Sequence, residues 1–311
     1  MHVEFLGVRP SRRAVLALGA GTALAAAVSA SGSAHAASPG SPGDDIQQAL
    51  NQLEREHSAR LGVFGCNTVT GRSVLYRADE PFPMCSLFKT LAAAAVLRDL
   101  DRHGEFLSLR IRYTEQDVED AGGAPVTGKM ENLANGMTVA ELCEAAVAYS
   151  DNCAANLLLR ELGGPTAITR FCRSIGDRRT RLDRWEPELN SAEPERVTDT
   201  SSPAAIGRTY AKLALGDALT PRDRRQLTAW LLANTTSTNR FRAGLPQDWA
   251  LGDKTGTGKY GTTNDAGIAW TPDGTPLVLA VLSTKPGAGR EAPMDERLVA
   301  DTAALLAKAL V

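Results

Sequence analysis

The chain has 311 residues, of which 43% are hydrophobic and 23% charged, with a formal net charge of −2. That length suits one large domain or two ordinary ones, and the composition excludes a disordered or collagen-like polymer. A near-neutral balance gives no electrostatic grounds for nucleic acid or an anionic membrane surface as a partner.

The first segment reads as an address rather than as part of a fold. Arg9, Arg12 and Arg13 precede a small, apolar run from Ala14 to Ala30, and Ala34-His35-Ala36 then gives the small-x-small pattern of a signal-peptidase site. Residues 1–36 are therefore expected to be a signal peptide cleaved after Ala36. Ser11-Arg12-Arg13 resembles a twin-arginine signal, which implies export of an already folded protein. The leader has no cysteine, which excludes lipid attachment there, and its removal leaves a net charge of −4. No later stretch is apolar enough to span a bilayer, so no membrane anchor is expected.

Beyond the leader, SPGSPGDD (38–45) reads as a flexible entry ending in an Asp cap, and IQQALNQLEREHSA carries apolar residues at helical spacing. Residues 60–79 give two short β-rich runs around a turn containing Gly71, a hairpin signal. From Ser86 to about Gly244 the texture is helical. An Ala/Leu-rich helix runs from Ser86 to a stop at Gly104, a capping box at Thr138–Glu141 opens another, a third ends on Gly163, and a fourth begins at Thr220-Pro221. β texture returns in DWALGDKTG, GTTNDAGIAW and TPLVLAVLST, before a final helix over about ADTAALLAKAL.

The expected architecture is α/β in two layered lobes. An antiparallel sheet flanked by helices is built from about 44–82 plus 232–311, and residues 83–231 form an all-helical lobe. Concave sites commonly lie between such lobes.

Five cysteines, Cys66, Cys85, Cys143, Cys153 and Cys172, are scattered without a C-x-x-C. They form neither a disulfide framework nor a zinc pattern, and most read as small buried apolar residues. Only His57 and His103 follow the leader, each in a charged helical stretch, and both read as exposed helix-end residues. A Ser-His-Asp triad or a histidine-rich metal site has almost nothing to draw on. No metal or other cofactor is expected.

The chemistry must come from elsewhere. In PMCSLFKT (83–90), Ser86 and Lys89 share a face at the start of a helix. A serine nucleophile needs a base, and a lysine held in a dry site beside other cations can serve as one. The pair alone is a weak signal. Three further stretches strengthen it: Ser150-Asp151-Asn152 where a helix breaks off, Arg184-Trp185-Glu186-Pro187-Glu188-Leu189-Asn190 between helices, and Lys254-Thr255-Gly256 at the end of a β-like run. Coincidence of all four in this order is negligible.

S-x-x-K, S-D-N, an E-x-x-x-N loop and K-T-G together resemble the class A serine β-lactamases, and the first, second and fourth are shared with penicillin-binding proteins. The resemblance covers essentially the whole chain beyond the leader and implies the same two-lobe fold. It implies that Ser86 attacks the lactam carbonyl, with the N–H groups of Ser86 and Thr257 as oxyanion donors. Ser150 would pass a proton to the departing nitrogen between Lys89 and Lys254, and Asn152 would hold the substrate's acylamino group. Lys254, Thr255, Gly256 and Thr257 would form the strand that receives its carboxylate. Glu186 and Asn190 would position and deprotonate a water for deacylation. Either Lys89 or Glu186, acting through that water, would deprotonate Ser86.

Glu186 separates two readings. With it the acyl-enzyme turns over and the protein is a secreted hydrolase of penicillins and cephalosporins, conferring resistance. Without a deacylating role the same serine would serve a penicillin-binding D,D-peptidase, an esterase or a non-hydrolytic sensor. The resemblance also implies an Arg184–Asp199 ion pair closing the loop. Thr263 stands where many members carry a substrate-binding arginine, and Arg240 occupies the alternative position, so Arg240 is expected to recognise the carboxylate. Where the family usually has an aromatic at the cleft mouth, this chain reads AGGAPVT, with Gly122 and Gly123 in the region. Ala93 stands where the family's usual disulfide partner of Cys143 would be, and Gly258 stands where carbapenem-hydrolysing members often pair a cysteine with the one before the serine. Free thiols and no strong carbapenemase activity are expected, in a monomer.

Overall fold

The computed structural model describes residues 42–311, so the expected leader and its cleavage site lie outside the described residues. Helix α1 (Pro42–Glu56) starts at Pro42, ahead of the capped start expected after Asp45. Proline suits the first helical turn because the N–H it lacks has no partner there. Strands β1 (Arg60–Asn67) and β2 (Ser73–Tyr76) form the expected hairpin, with Gly71 at φ +75° in its turn.

The helical part contains α2 (Phe88–Ala95), α3 (Val139–Ala148), α4 (Asn152–Leu162), α5 (Thr166–Ser174), α6 (Pro203–Ala214) and α7 (Pro221–Leu232). Its starts follow the local code. Thr138 and Glu141 exchange both capping-box bonds at α3, and Asp151, Ser202 and Thr220 each accept a backbone N–H at the starts of α4, α6 and α7. Gly163 ends α4 in the left-handed conformation at φ +88°.

Two boundaries differ from the sequence reading. After α2 the coil widens to a π-turn over Val96–Leu100 and ends there, short of Gly104, because Asp101 leaves helical geometry and accepts the N–H of Leu107 at 3.0 Å. The last helix, which follows β3 (Ala250–Thr257), β4 (Thr263–Trp270) and β5 (Pro276–Thr284), is α8 (Glu296–Leu310). It starts before Ala300 because Asp295 caps it, accepting the N–H of Leu298 at 3.0 Å.

The five strands make one antiparallel sheet in the order β2-β1-β5-β4-β3. Strand alternation divides β5 between two cores. Val278, Ala280 and Leu282 join the core shared with the helices α2 to α7, while Leu277, Leu279 and Val281 join the one under α1 and α8. This gives the α/β two-lobe fold, with β3 as the edge strand beside the start of α2.

His57, expected to be exposed, is partly buried. Its Nδ1 lies 2.8 Å from Asp295 Oδ2, which Lys285 Nζ also reaches at 2.7 Å. The ring fastens the end of α1 to the cap of α8, a contact between residues at opposite ends of the sequence. His103 is exposed as read.

Candidate active site

The nucleophile candidate sits at a forced turn. Cys85 takes φ +48° although it has a side chain, and the tight turn Cys85–Leu87 then feeds into α2. A backbone held in that region stores strain that the surroundings must over-determine. Asn264 supplies one restraint, donating from Nδ2 to the carbonyls of Pro83 at 2.9 Å and Met84 at 3.3 Å. Gly256 of β3 supplies another through its lack of a side chain, since a Cβ there would lie 2.8 Å from the Met84 carbonyl. The glycine of K-T-G therefore lets the strand approach the serine.

Lys89, one turn on, is fully buried. Its Nζ lies 3.0 Å from Ser86 Oγ, 3.0 Å from Glu186 Oε1, 2.8 Å from the Ser150 carbonyl, 2.5 Å from Asn152 Oδ1 and 3.4 Å from Ser150 Oγ. The amino group carries at most three hydrogens for these five oxygens, so acceptors surround it on every side. Ser86 Oγ also lies 3.5 Å from Glu186 Oε1. Both candidate bases thus face the same hydroxyl.

The S-D-N turn divides its side chains. Ser150 takes φ +57°, which turns it toward the two lysines. Asp151 turns inward and is fully buried, accepting from the N–H groups of Val126 and Thr127 at 2.9 Å each, from Thr127 Oγ1 at 2.8 Å and from Ala154 N at 2.8 Å. Asn152 returns to the site and donates to the Ala121 carbonyl at 3.1 Å, while its N–H donates to Gly123 O at 2.7 Å. The residue that accepts from Lys89 therefore also holds the glycine mouth.

From the opposite wall, Lys254 Nζ donates to Ser150 Oγ at 3.0 Å and to the Thr255 carbonyl at 2.9 Å. Burial, then the positive charges of Lys89 and Arg240, push its pKa well below the usual lysine range. Arg240 is itself buried behind the strand. Its guanidinium donates to the carbonyls of Gly256 at 3.0 Å and Asn264 at 2.9 Å, to Thr257 Oγ1 at 2.7 Å and to Glu296 Oε1 at 3.2 Å. The structure thus places Arg240 one hydroxyl behind exposed Thr257. Thr263, which stands in the other arginine position, is buried and accepts the N–H of Asp295 at 2.9 Å.

The loop carrying Glu186 is fixed at both ends. Arg184 Nε donates to Asp199 Oδ2 at 2.6 Å, and Asp199 Oδ1 accepts the N–H groups of Asp183 at 2.7 Å and Arg184 at 3.0 Å. Asn190 Nδ2 donates to Glu186 Oε2. Sequence reasoning missed Asn156, which grips the backbone of Glu186 twice: Glu186 N–H donates to its Oδ1 at 3.0 Å, and its Nδ2 donates to the Glu186 carbonyl at 2.9 Å. Helical spacing after Asn152 on α4 was the available signal.

Behind β3, Asp253 and Asp265 were also missed. Both are fully buried, and both carboxyls are pushed above the usual range, chiefly by burial. Asp253 Oδ2 and Asp265 Oδ1 are both buried without a hydrogen-bond partner among the described residues, and the charge of Asp253 adds to the rise at Asp265. Carboxyls protonated in the fold but ionised in the unfolded chain cost stability as pH rises from the ordinary carboxylate range through their folded values. Asp265→Asn removes one of these two ionisable groups while keeping its shape. It should raise the melting temperature more at mildly alkaline than at mildly acidic pH, as followed by thermal circular dichroism.

All five cysteines are free, and burial raises the thiols of Cys85, Cys143 and Cys172, with Cys153 pushed up to about 11. Gly258 lies against Cys85, since a Cβ there would meet its Sγ at 2.7 Å.

Residues 45–310 match the Beta-lactamase enzyme family. The chain is 66% identical over 304 residues to a β-lactamase of Streptomyces lavendulae, covering 98% of each chain. The solved β-lactamase from Streptomyces albus G aligns with a TM-score of 0.85 at 68% identity, covering 86% of this chain and 100% of that one. A variant of the class A β-lactamase of the last common ancestor of Gram-negative bacteria aligns with a TM-score of 0.79 at 51% identity, covering 84% of this chain and 96% of that one. The chain belongs to the class A β-lactamases. This β-lactamase hydrolyses β-lactam antibiotics, an activity that confers resistance. Among the described residues of the β-lactamase, no helix is long and apolar enough to cross a membrane.

Proposed function

We propose that the hydrolysis runs through an acyl-enzyme on Ser86 and that Glu186 drives its release. The observation that carries this reading is Lys89 Nζ standing 3.0 Å from both Ser86 Oγ and Glu186 Oε1, in a site closed to solvent on the lysine's side. Ser86 Oγ adds to the lactam carbonyl as its proton leaves toward Lys89 or Glu186. The N–H groups of Ser86 and Thr257 hold the oxyanion. The carbon–nitrogen bond then breaks, and the nitrogen takes a proton through Ser150, which the contact with Lys254 supports. A water held by Glu186 and Asn190 adds to the ester as its proton passes to Glu186, and the ester bond then breaks with that proton delivered to the departing Ser86 Oγ, which frees the acid and restores serine and carboxylate.

Thr255 and Thr257, with Lys254 beside them and Arg240 behind, receive the substrate carboxylate, and Asn152 holds the acylamino group. The enzyme acts as an exported monomer, with residues 1–36 as a twin-arginine-type signal peptide. It needs no cofactor. A chromogenic cephalosporin tests the cycle: many turnovers per enzyme are expected, and a single stoichiometric burst would instead indicate a penicillin-binding or sensor role.

A further inference from the structure

We infer that Thr236 and Asn234, on the loop after α7, are positioning residues that set which way the hydroxyl proton of Thr255 points. The inference rests on the reading of Thr255 as a carboxylate receptor, and it follows from counting protons. Asn234 is buried, with Nδ2 donating to Asp253 Oδ1 at 2.8 Å and Oδ1 accepting from the Thr236 N–H at 3.0 Å. That N–H can only donate and a carboxylate oxygen facing the amide accepts, so the amide has one permitted orientation. Its Oδ1 also lies 2.8 Å from Thr236 Oγ1, which in turn lies 2.5 Å from Thr255 Oγ1.

Thr236 has one hydroxyl proton for these two oxygens. When it goes to Asn234, Thr255 must donate to Thr236, and the chain from Thr255 through Thr236 and Asn234 points toward Asp253. Thr255 then offers lone pairs to the cleft. A carboxylate needs the opposite, a proton from Thr255, and the short contact tolerates that only if Thr236 turns its own proton onto Thr255. Asn234 Oδ1 keeps the Thr236 N–H throughout, so no acceptor is left bare. Thr235 steadies the loop, its N–H and Oγ1 both donating to the Ala148 carbonyl at 3.0 Å, next to the Ser150 turn.

Two hydroxyls therefore reverse together when an anionic substrate binds, each strengthening the next bond. In the free enzyme, solvent in the cleft replaces a lost Thr236–Thr255 bond. Under bound substrate nothing does, so removing the Thr236 hydroxyl weakens the complex more than the free enzyme.

The test compares benzylpenicillin with its methyl ester, which lacks the negative charge. Thr236→Val should raise KM for benzylpenicillin about tenfold, the size of one lost hydrogen bond, with kcat within about twofold. KM for the ester should not change, and Thr236→Ser should restore wild-type behaviour. Thr236→Ala serves the same purpose if the valine variant does not fold. Unchanged KM for benzylpenicillin, or equal losses for acid and ester, would overturn the relay. If the wild-type enzyme bound acid and ester equally well, the carboxylate reading itself would fall, which is a separate outcome.

Discussion

Glu186→Ala is expected to convert the enzyme into one that acylates and then stalls. Intact mass spectrometry after benzylpenicillin should show an adduct that persists for hours, with deacylation slowed by about 10²–10⁴-fold, the usual share of a general base. The reason is geometric. Asn190 bonds one carboxylate oxygen and Lys89 the other, and Asn156 holds both the N–H and the carbonyl of Glu186. Glu186 is the carboxylate that faces the nucleophile, its Oε1 3.5 Å from Ser86 Oγ. Acylation should slow less, because Lys89 still lies 3.0 Å from Ser86 Oγ. Rapid clearance of the adduct in this variant would remove Glu186 from the role.

Lys89→Ala should damage the earlier step and the fold together. Acylation, read as the rate of adduct formation in single-turnover mixing, is expected to fall by on the order of 10³-fold, since the variant loses the group nearest the serine and the charge that faces Glu186. It also leaves the buried Glu186 carboxylate without its cation. Breaking such a pair from one side costs about 3–5 kcal/mol, so the melting temperature should drop as well. A stable variant that acylates at the wild-type rate would show that Lys89 only fills space.

Much of the site was legible because each motif is a single local turn whose residues divide by chemistry. In Ser150-Asp151-Asn152 the middle carboxylate caps a helix and the flanking side chains are left for the cleft. The Arg184–Asp199 pair was legible for a related reason: it closes one loop. Residues whose partners come from distant strands were not legible. Asn234, Asp253 and Asp265 look like ordinary polar residues until β3 and β4 pair and the loop after α7 folds over them. His57 was misread because its partner, Asp295, lies at the other end of the chain. Helix ends moved where side chains, rather than glycine or composition, decided the boundary, as Asp101 does at a stop and Asp295 at a start.

The most direct test follows the wild-type enzyme with benzylpenicillin by quenched-flow mass spectrometry and peptide mapping. An adduct on Ser86 that forms and decays at rates matching steady-state turnover is the predicted result. Turnover with no adduct at Ser86, or an adduct that forms once and never clears, would contradict it.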